Sequence, residues 1–326
     1  MIHPISFIGR KLRRKKKYNI LCFPTHEGYQ SNLDKTGHNF LMVNAPNMKQ
    51  WDYHTRPLPK NHYIINLIDQ SPIFNFEVDL ILSQERTTQL PMALDMQRLS
   101  GVPVIHLEHT EPLPQWSSKR LDSIISTRAN KHVYITEHNK KSWKDNDAVV
   151  IPHGIDDNIF KNYEPTKNSG VSVVNLFPHR DIFCGWQLWN RIKQEIPLEL
   201  YGYNPGLSES INDPQRLNEV LRHNRFFLNT SQLSPIPLSL LEAACIGMPI
   251  VSTANQEVPK IFTNGVNAIL SNDPKELIEA CKYFINPANA SVTKQYGDNA
   301  RKLILEKFSM QAFVDAWNNV FNEVVS

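Results

Sequence analysis

Two α/β domains are what this sequence predicts, and three observations predict them. The chain has 326 residues, about two domains at roughly 150 residues each. Hydrophobic residues make up 41% and charged residues 21%, a balance that suits packed cores and excludes wholesale disorder. Short apolar runs alternate with longer stretches of helical period, as strands alternating with helices require.

The elements follow in order. In the first half the runs YNILCFP (18–24), HNFLMV (38–43), HYIIN (62–66), VDLILS (78–83), VPVIHL (102–107), HVYIT (132–136) and AVVIP (148–152) read as strands. A helical pattern over 87–99 stops at Gly101 and Pro103, residues that end helices. In the second half VSVVNL (171–176), PLELYG (197–202), RFFLN (225–229), MPIVST (248–253) and NAILS (267–271) are strands, with helices beginning near Gly185, Asp213, Leu238, Gln256 and Pro274. The stretch 161–170, KNYEPTKNSG, is polar and turn-rich and reads as a surface connection. This gives an N-terminal domain over 1–155 and a C-terminal domain over 156–307. In the last segment, 308–326, Phe308, Phe313, Val314, Trp317, Val320, Phe321 and Val324 recur at helical spacing, and Ser309 can cap the helix. That stripe reads as core, on a helix that can cross back to the N-terminal domain.

Several function classes drop out. The apolar runs from His62 and from Val102 stop after about six or seven residues, short of the ~18 a membrane span needs. Cys22, Cys184, Cys245 and Cys281 lie far apart with no C-x-x-C pair, so neither a zinc knuckle nor a disulfide framework is expected; they read as reduced core residues of a cytoplasmic chain. The glycines fall at neither dinucleotide-fingerprint nor Walker spacing. The net charge is only +3, but residues 10–17 read RKLRRKKK. No apolar segment of signal-peptide length accompanies that run. It reads either as a foothold on an anionic membrane, at its inner face, or on nucleic acid, or as a solvated tail.

The informative segment is 234–280, SPIPLSLLEAACIGMPIVSTANQEVPKIFTNGVNAILSNDPKELIEA. Pro237 and Ser239 suit the first turn of a helix over 238–246, Gly247 its C-terminal cap, and Pro249 prevents continuation. A helix opening after a strand end points free N–H groups and about half a positive charge at a bound diphosphate. Glu242, one turn in, can accept both ribose hydroxyls as a bidentate carboxylate.

Order and spacing over these ~45 residues resemble the nucleotide-sugar half of family 4 glycosyltransferases of the GT-B fold. IPHGID at 151–156, HVYITEHNKK at 132–141 and EKFSMQAF at 306–313 extend the resemblance. It implies two Rossmann-like doubly wound domains facing a cleft, and transfer of a hexosyl group from a nucleotide sugar with retention, without cofactor or metal. The acceptor would be a glycan, a lipid-linked molecule or another compound on the N-terminal side. It assigns Glu242 to the ribose and Arg180, in the loop NLFPHRDIFCGW, to the diphosphate, with His179 as second donor and Lys193 as a remote one. Where the family has its Lys-Gly step this chain has Cys184-Gly185. Ser234 replaces the family's first Glu, which contacts sugar hydroxyls, and Pro235 and Pro237 replace two glycines. Proline has no N–H, so phosphate contacts would pass to the amides of Ile236, Leu238 and Ser239. Asn229, Thr230 and Gln232 are the nearest substitutes for the missing carboxylate.

In the first half, His26, Glu27 and Gly28 follow the first strand as acceptor-loop candidates, Gly28 allowing close backbone approach. His106, Glu108, His109 and Glu111 cluster at the end of another strand, but alternation sends His106 and Glu108 to one face and His109 to the other, which argues against a metal. The resemblance makes His109 the active-site histidine that contacts the donor sugar. Asp145-Asn146-Asp147 has the Asp-x-Asp form of a manganese site, yet reads as a solvated turn before a strand. Two rival functions remain: a catalytically inactive nucleotide- or glycan-binding protein, suggested by Ser234 and the missing Lys, and a DNA-modifying glucosyltransferase, suggested by residues 10–17.

Overall fold

A computed structural model of the chain describes residues 17–46, 48–66 and 77–326. Apart from Lys17, the basic run lies outside the described residues. Two compact units result. Unit one takes the described part of 1–52 with 58–152 and 311–326; unit two takes 53–57 and 153–310.

Unit one runs β1 (Asn19–Cys22), α1 (Glu27–Leu33), β2 (Asn39–Asn44), β3 (His62–Asn66), β4 (Leu80–Ser83), α2 (Gln89–Ser100), β5 (Val104–Glu108), α3 (Ser118–Ile125), β6 (Lys131–Tyr134), α4 (Glu137–Ser142) and β7 (Val149–Val150). All seven strands are parallel, in the order β3-β2-β1-β4-β5-β6-β7. β1 pairs Leu21 with Leu41 on one side and with Ile81 on the other. Strands covered on both faces need continuous apolar runs, and Ile20, Leu21, Leu80, Ile81, Val104 and Ile105 are accordingly buried. α2 closes one face with Leu90 and Ala93 and ends where Gly101 adopts φ 74°.

Unit two runs β8 (Gly170–Val173), α5 (Asp181–Cys184), α6 (Trp186–Lys193), β9 (Leu198–Tyr201), α7 (Pro214–Arg222), β10 (Phe226–Asn229), α8 (Leu238–Ile246), β11 (Ile250–Ser252), α9 (Val258–Ile261), β12 (Ile269–Leu270), α10 (Pro274–Ile285) and α11 (Ala290–Lys307). Its five parallel strands are ordered β12-β11-β10-β8-β9. Asp213 and Asp273 cap α7 and α10 through the amides of Gln215 and Lys275, each with proline at the first helical position, where its missing N–H costs nothing. Trp189, Phe226, Leu277 and Phe284 centre the core.

The final helix, α12 (Met310–Val325), follows Ser309. It packs within unit one: Trp317 Nε1 donates to the Tyr29 hydroxyl at 2.9 Å, the Tyr18 hydroxyl to Asn322 at 2.8 Å, and His38 meets Asn318 at 2.9 Å. The backbone N–H of Tyr18 donates to His38 Nδ1, so the proton of neutral His38 sits on Nε2 and points at the Asn318 oxygen. Val325, rather than Val324, completes the buried stripe.

One expectation is overturned. Asp145 is not part of a solvated turn: it is 2% exposed, with His132 at 2.8 Å, Arg128 at 2.8 Å and the Tyr134 hydroxyl at 3.1 Å. Asn146 and Asp147 are exposed. The turn after α4 folds its first carboxylate back over β6, against the Arg128 guanidinium and the His132 ring. The Ala129 N–H donates to His132 Nε2, and Nδ1 lies 2.8 Å from Asp145 and 3.2 Å from Arg86 Nη2; burial keeps His132 neutral, lowering its pKa to about 3. Among the described residues no helix is long and apolar enough to cross a membrane.

Candidate active site

The strand order of unit two reverses at β8, which has β9 on one side and β10 on the other. Such a switch point opens a crevice at the carboxyl ends of the two diverging strands. The loops leaving β8 and β10 meet there. The first carries Leu176 at φ 51°, then one tight helical turn, Phe177–Arg180. Asn204 accepts from the Phe177 amide at 2.6 Å and Asn175 from the Tyr203 amide at 2.8 Å, which braces the loop. His179 and Arg180 stand exposed on that turn.

Cys184 points into the core; burial raises its thiol pKa, with Arg180 opposing. Its carbonyl accepts from the Thr230 hydroxyl at 2.8 Å, and the Phe183 carbonyl from the Gln232 amide at 2.8 Å. These bonds stitch the two loops together. Gly185, at φ 73°, lies so close to the Thr230 carbonyl that a Cβ would collide with it, so glycine is required here both for conformation and for space. Lys193 instead sits at the end of α6, 5.0 Å over the Trp189 ring.

The second loop delivers the start of α8. Pro237 precedes the helix in extended conformation, and no side chain caps it. The amides of Leu238 and Ser239 thus have neither a helical acceptor nor a cap. The Ser239 hydroxyl donates to the Val173 carbonyl at 3.1 Å, tying α8 to the end of β8. Ser234 is half-buried; Ile236 is buried, with a backbone hydrogen bond to His153. Burial depresses His153 to about 4, against that bond. Asn229 and Thr230 are engaged with Ser252, Ser231 and the Cys184 carbonyl, which leaves exposed Gln232 as the substitute nearest to Ser234.

Glu242 lies on a helix that is apolar on every side: Leu240 to Ile246 are all buried. Arg56 Nη2 donates to its Oε1 at 3.1 Å. Burial raises the Glu242 pKa while Arg56 pulls it down. A carboxylate has about four lone-pair directions, so this pairing leaves acceptor capacity for a hydroxyl. The residues 53–57 that bring Arg56 are held to unit two by Asn175 on Thr55 at 3.0 Å, by Asn212 on the Tyr53 carbonyl at 2.8 Å, and by His54 stacked on Tyr203 with centroids 4.2 Å apart. Sequence reasoning missed Arg56, and its local context, TRPLP, holds no signal for it.

In unit one the switch point lies between β1 and β4. His26 follows β1, and its ring stands 4.2 Å from that of His109, which follows β5. Gly28 lies in the first turn of α1. Glu27 is 4% exposed and held by Lys49 at 2.8 Å and the Asp52 amide at 3.1 Å. His106 and Glu108 face inward: His106 Nδ1 meets the Ser83 hydroxyl at 2.8 Å, and Glu108 lies 3.4 Å from His106 and 3.5 Å from Arg86.

Residues 186–319 match a family model described as glycosyl transferase-like. Over 90 residues the chain is 31% identical to an uncharacterized glycosyltransferase, MJ1069, of Methanocaldococcus jannaschii, an alignment spanning 27% of this chain and 22% of that protein. The chain thus covers about a fifth of that relative's length. Among solved structures it is similar to Anabaena HepE in complex with UDP-glucose (TM-score 0.73, 13% identity, covering 94% of this chain and 100% of that one). It is also similar to sucrose-phosphate synthase of Thermosynechococcus elongatus (TM-score 0.71, 13% identity, 94% and 98%). At this identity the likeness shows the fold: two Rossmann-like α/β units of the GT-B class.

Proposed function

We propose that the chain is a glycosyltransferase that binds a nucleotide sugar in unit two, with a uridine diphosphate sugar as the first donor to test, since HepE is described in complexes with UDP and UDP-glucose. The observation that carries this reading is the convergence of three things at one switch point: the uncapped start of α8, the buried Glu242, and the Arg180 turn. The α8 amides and helix dipole receive the diphosphate, Glu242 accepts from the ribose, and Arg180, with His179 beside it, offsets the leaving charge. Transfer of a hexosyl group proceeds with retention and without metal or cofactor. The anomeric carbon–phosphate oxygen bond breaks, the bond to the acceptor oxygen forms on the same face, and the acceptor's proton passes to the departing diphosphate. His109 serves as a sugar-facing group. The acceptor is a glycan, lipid-linked or other hydroxyl compound.

Calorimetric titration of UDP into wild type and Glu242→Gln tests the donor site. Losing a charged contact to ribose costs about 1.5 to 3 kcal/mol, roughly ten- to a hundredfold in affinity. Equal binding by the two proteins would remove Glu242 from the site. The rival reading, nucleotide binding without transfer, draws on Ser234 and the buried Cys184. Release of UDP from UDP-sugars by the wild type separates the two.

A further inference from the structure

We infer that Arg56 is a positioning residue of unit two's donor site: it pairs with Glu242 Oε1 and keeps the group a carboxylate, so that Oε2 is the oxygen offered to a ribose hydroxyl. The ribose half of this inference rests on the function proposed above; the hold of Arg56 on Glu242 does not.

The contact is built from both ends. On α8, the neighbours of Glu242 from Leu240 to Ile246 are buried and uncharged. Residues 53–57 belong to unit two, and from them Arg56 Nη2 donates to Glu242 Oε1 at 3.1 Å while Nη1 donates to the Thr55 carbonyl at 3.0 Å. The second bond holds the guanidinium against its own backbone. That backbone is anchored in turn: Asn175 donates to the Thr55 hydroxyl, Asn212 to the Tyr53 carbonyl and the Ser210 hydroxyl to the His54 carbonyl, and the His54 and Tyr203 rings lie 5° from parallel. A guanidinium fixed in this way sets where Oε1 must lie, and with it the plane of the carboxylate. Among the described residues nothing hydrogen-bonds Oε2, and that atom is not sealed from solvent.

Stability alone gives no reason for such a pair, because a buried ion pair is often no more stable than apolar side chains of the same volume. What the pair secures is the charged form. Burial pushes the Glu242 pKa up, and the Arg56 charge and hydrogen bond pull it down; an opposite charge within about 4 to 6 Å lowers a carboxyl pKa by roughly 1 to 3. The other titratable group facing Glu242 is Cys245, one turn on along α8, which in turn faces Arg301 of α11 and Asp157. Burial raises that thiol to about 12, so it stays neutral near physiological pH. Arg56 is thus the charge that decides whether Glu242 accepts at both oxygens or carries a proton on one.

Two titrations on the full chain test this. The first follows the Glu242 carboxyl by NMR with 13C-labelled glutamate, the signal being assigned through Glu242→Gln. In Arg56→Met, which keeps an apolar stem, the midpoint should rise by about one pH unit or more. In Arg56→Lys, which keeps the charge, it should stay near the wild-type value. The second measures UDP-glucose affinity from pH 5 to pH 8.5, a probe whose diphosphate has no proton to lose across that range. Affinity should fall as pH drops through the Glu242 midpoint, and the fall should move to higher pH in Arg56→Met. Between the two midpoints that variant should bind roughly three- to tenfold more weakly than wild type, and Glu242→Gln should show no such step. Should Arg56→Met fail to fold, Arg56→Gln, which keeps a donor but no charge, takes its place. A midpoint unmoved in the neutral variant would overturn the hold of Arg56 on Glu242. A moved midpoint with UDP-glucose affinity unchanged at every pH would overturn the ribose half. No binding of UDP-glucose by the wild type would strike the proposed function, and the ribose half with it, while the NMR titration stands.

Discussion

Removing Arg56 should strand a carboxylate in an apolar helix, and the size and pH dependence of the loss follow from the structure. Glu242 is 5% and Arg56 9% exposed, with one contact at 3.1 Å. Deleting one partner of a buried pair costs about 3 to 5 kcal/mol, and because the Arg56 side chain keeps 11% of its surface, about 3 kcal/mol is expected for Arg56→Ala near neutral pH. Burial already raises the folded pKa of Glu242. A carboxyl group shifted upward contributes stability that is fully present below its unfolded pKa, about 4.3, and is lost as pH rises through the folded value. Without Arg56 the folded value rises further, so the window widens and the deficit grows with pH by up to ~1.4 kcal/mol per unit inside it. Urea unfolding of wild type, Arg56→Ala, Glu242→Gln and the double variant at pH 5 and pH 8 reads this out. The Arg56→Ala deficit should shrink by about 1 kcal/mol or more at pH 5, and the double variant should recover about 1 to 3 kcal/mol relative to the sum of the singles. Equal deficits at both pH values, together with additivity, would refute the reasoning.

Gly185→Ala should lower stability by about 1 to 3 kcal/mol through its positive φ and the Thr230 carbonyl, and should weaken UDP binding along with it; a neutral melting temperature would contradict the stitched-loop description. Trp317→Ala should cost about 3 to 5 kcal/mol, and near-ultraviolet circular dichroism of the aromatic cluster around Tyr29 should change with it. A surface-like loss under 0.5 kcal/mol would contradict the packing of α12. On the proposal that Arg180 and the α8 dipole take a cation's place, transfer from a UDP-sugar should persist in EDTA; loss in chelator restored by manganese would reverse that reading.

Every strand run marked in the sequence contains a strand in the structure, and the central strands, buried on both faces, are written as apolar runs, FLMV of β2 and FFL of β10 among them. The helix over 238–246 was equally legible, as Pro237 and Gly247 fence it. Side-chain partnerships across distant segments were not. Asp145 looked solvated because Arg128 and His132 are brought to it by the sheet, and Arg56 lies 186 positions from Glu242. Gln30 and Gln84 carry no pattern at all: Gln30 lies mid-helix and Gln84 just past a strand, and only the fold brings the Gln84 Nε2 to the Gln30 oxygen at 2.6 Å.

The placement of α12 has a consequence for how the chain is made. Unit one is built from three separate stretches, the last being residues 311–326, so the ribosome delivers that piece only after unit two. Domains ordinarily fold in order of synthesis, N-terminal first; here the sheet of unit one must wait, with the surfaces of Tyr18, Tyr29 and His38 uncovered, while all of unit two emerges and folds. The N-terminal half therefore depends on a stretch made after unit two. A chain ending at residue 310 would retain a complete unit two and an unfinished, aggregation-prone unit one, and a chaperone that holds nascent chains would find its substrate in the first half of this protein.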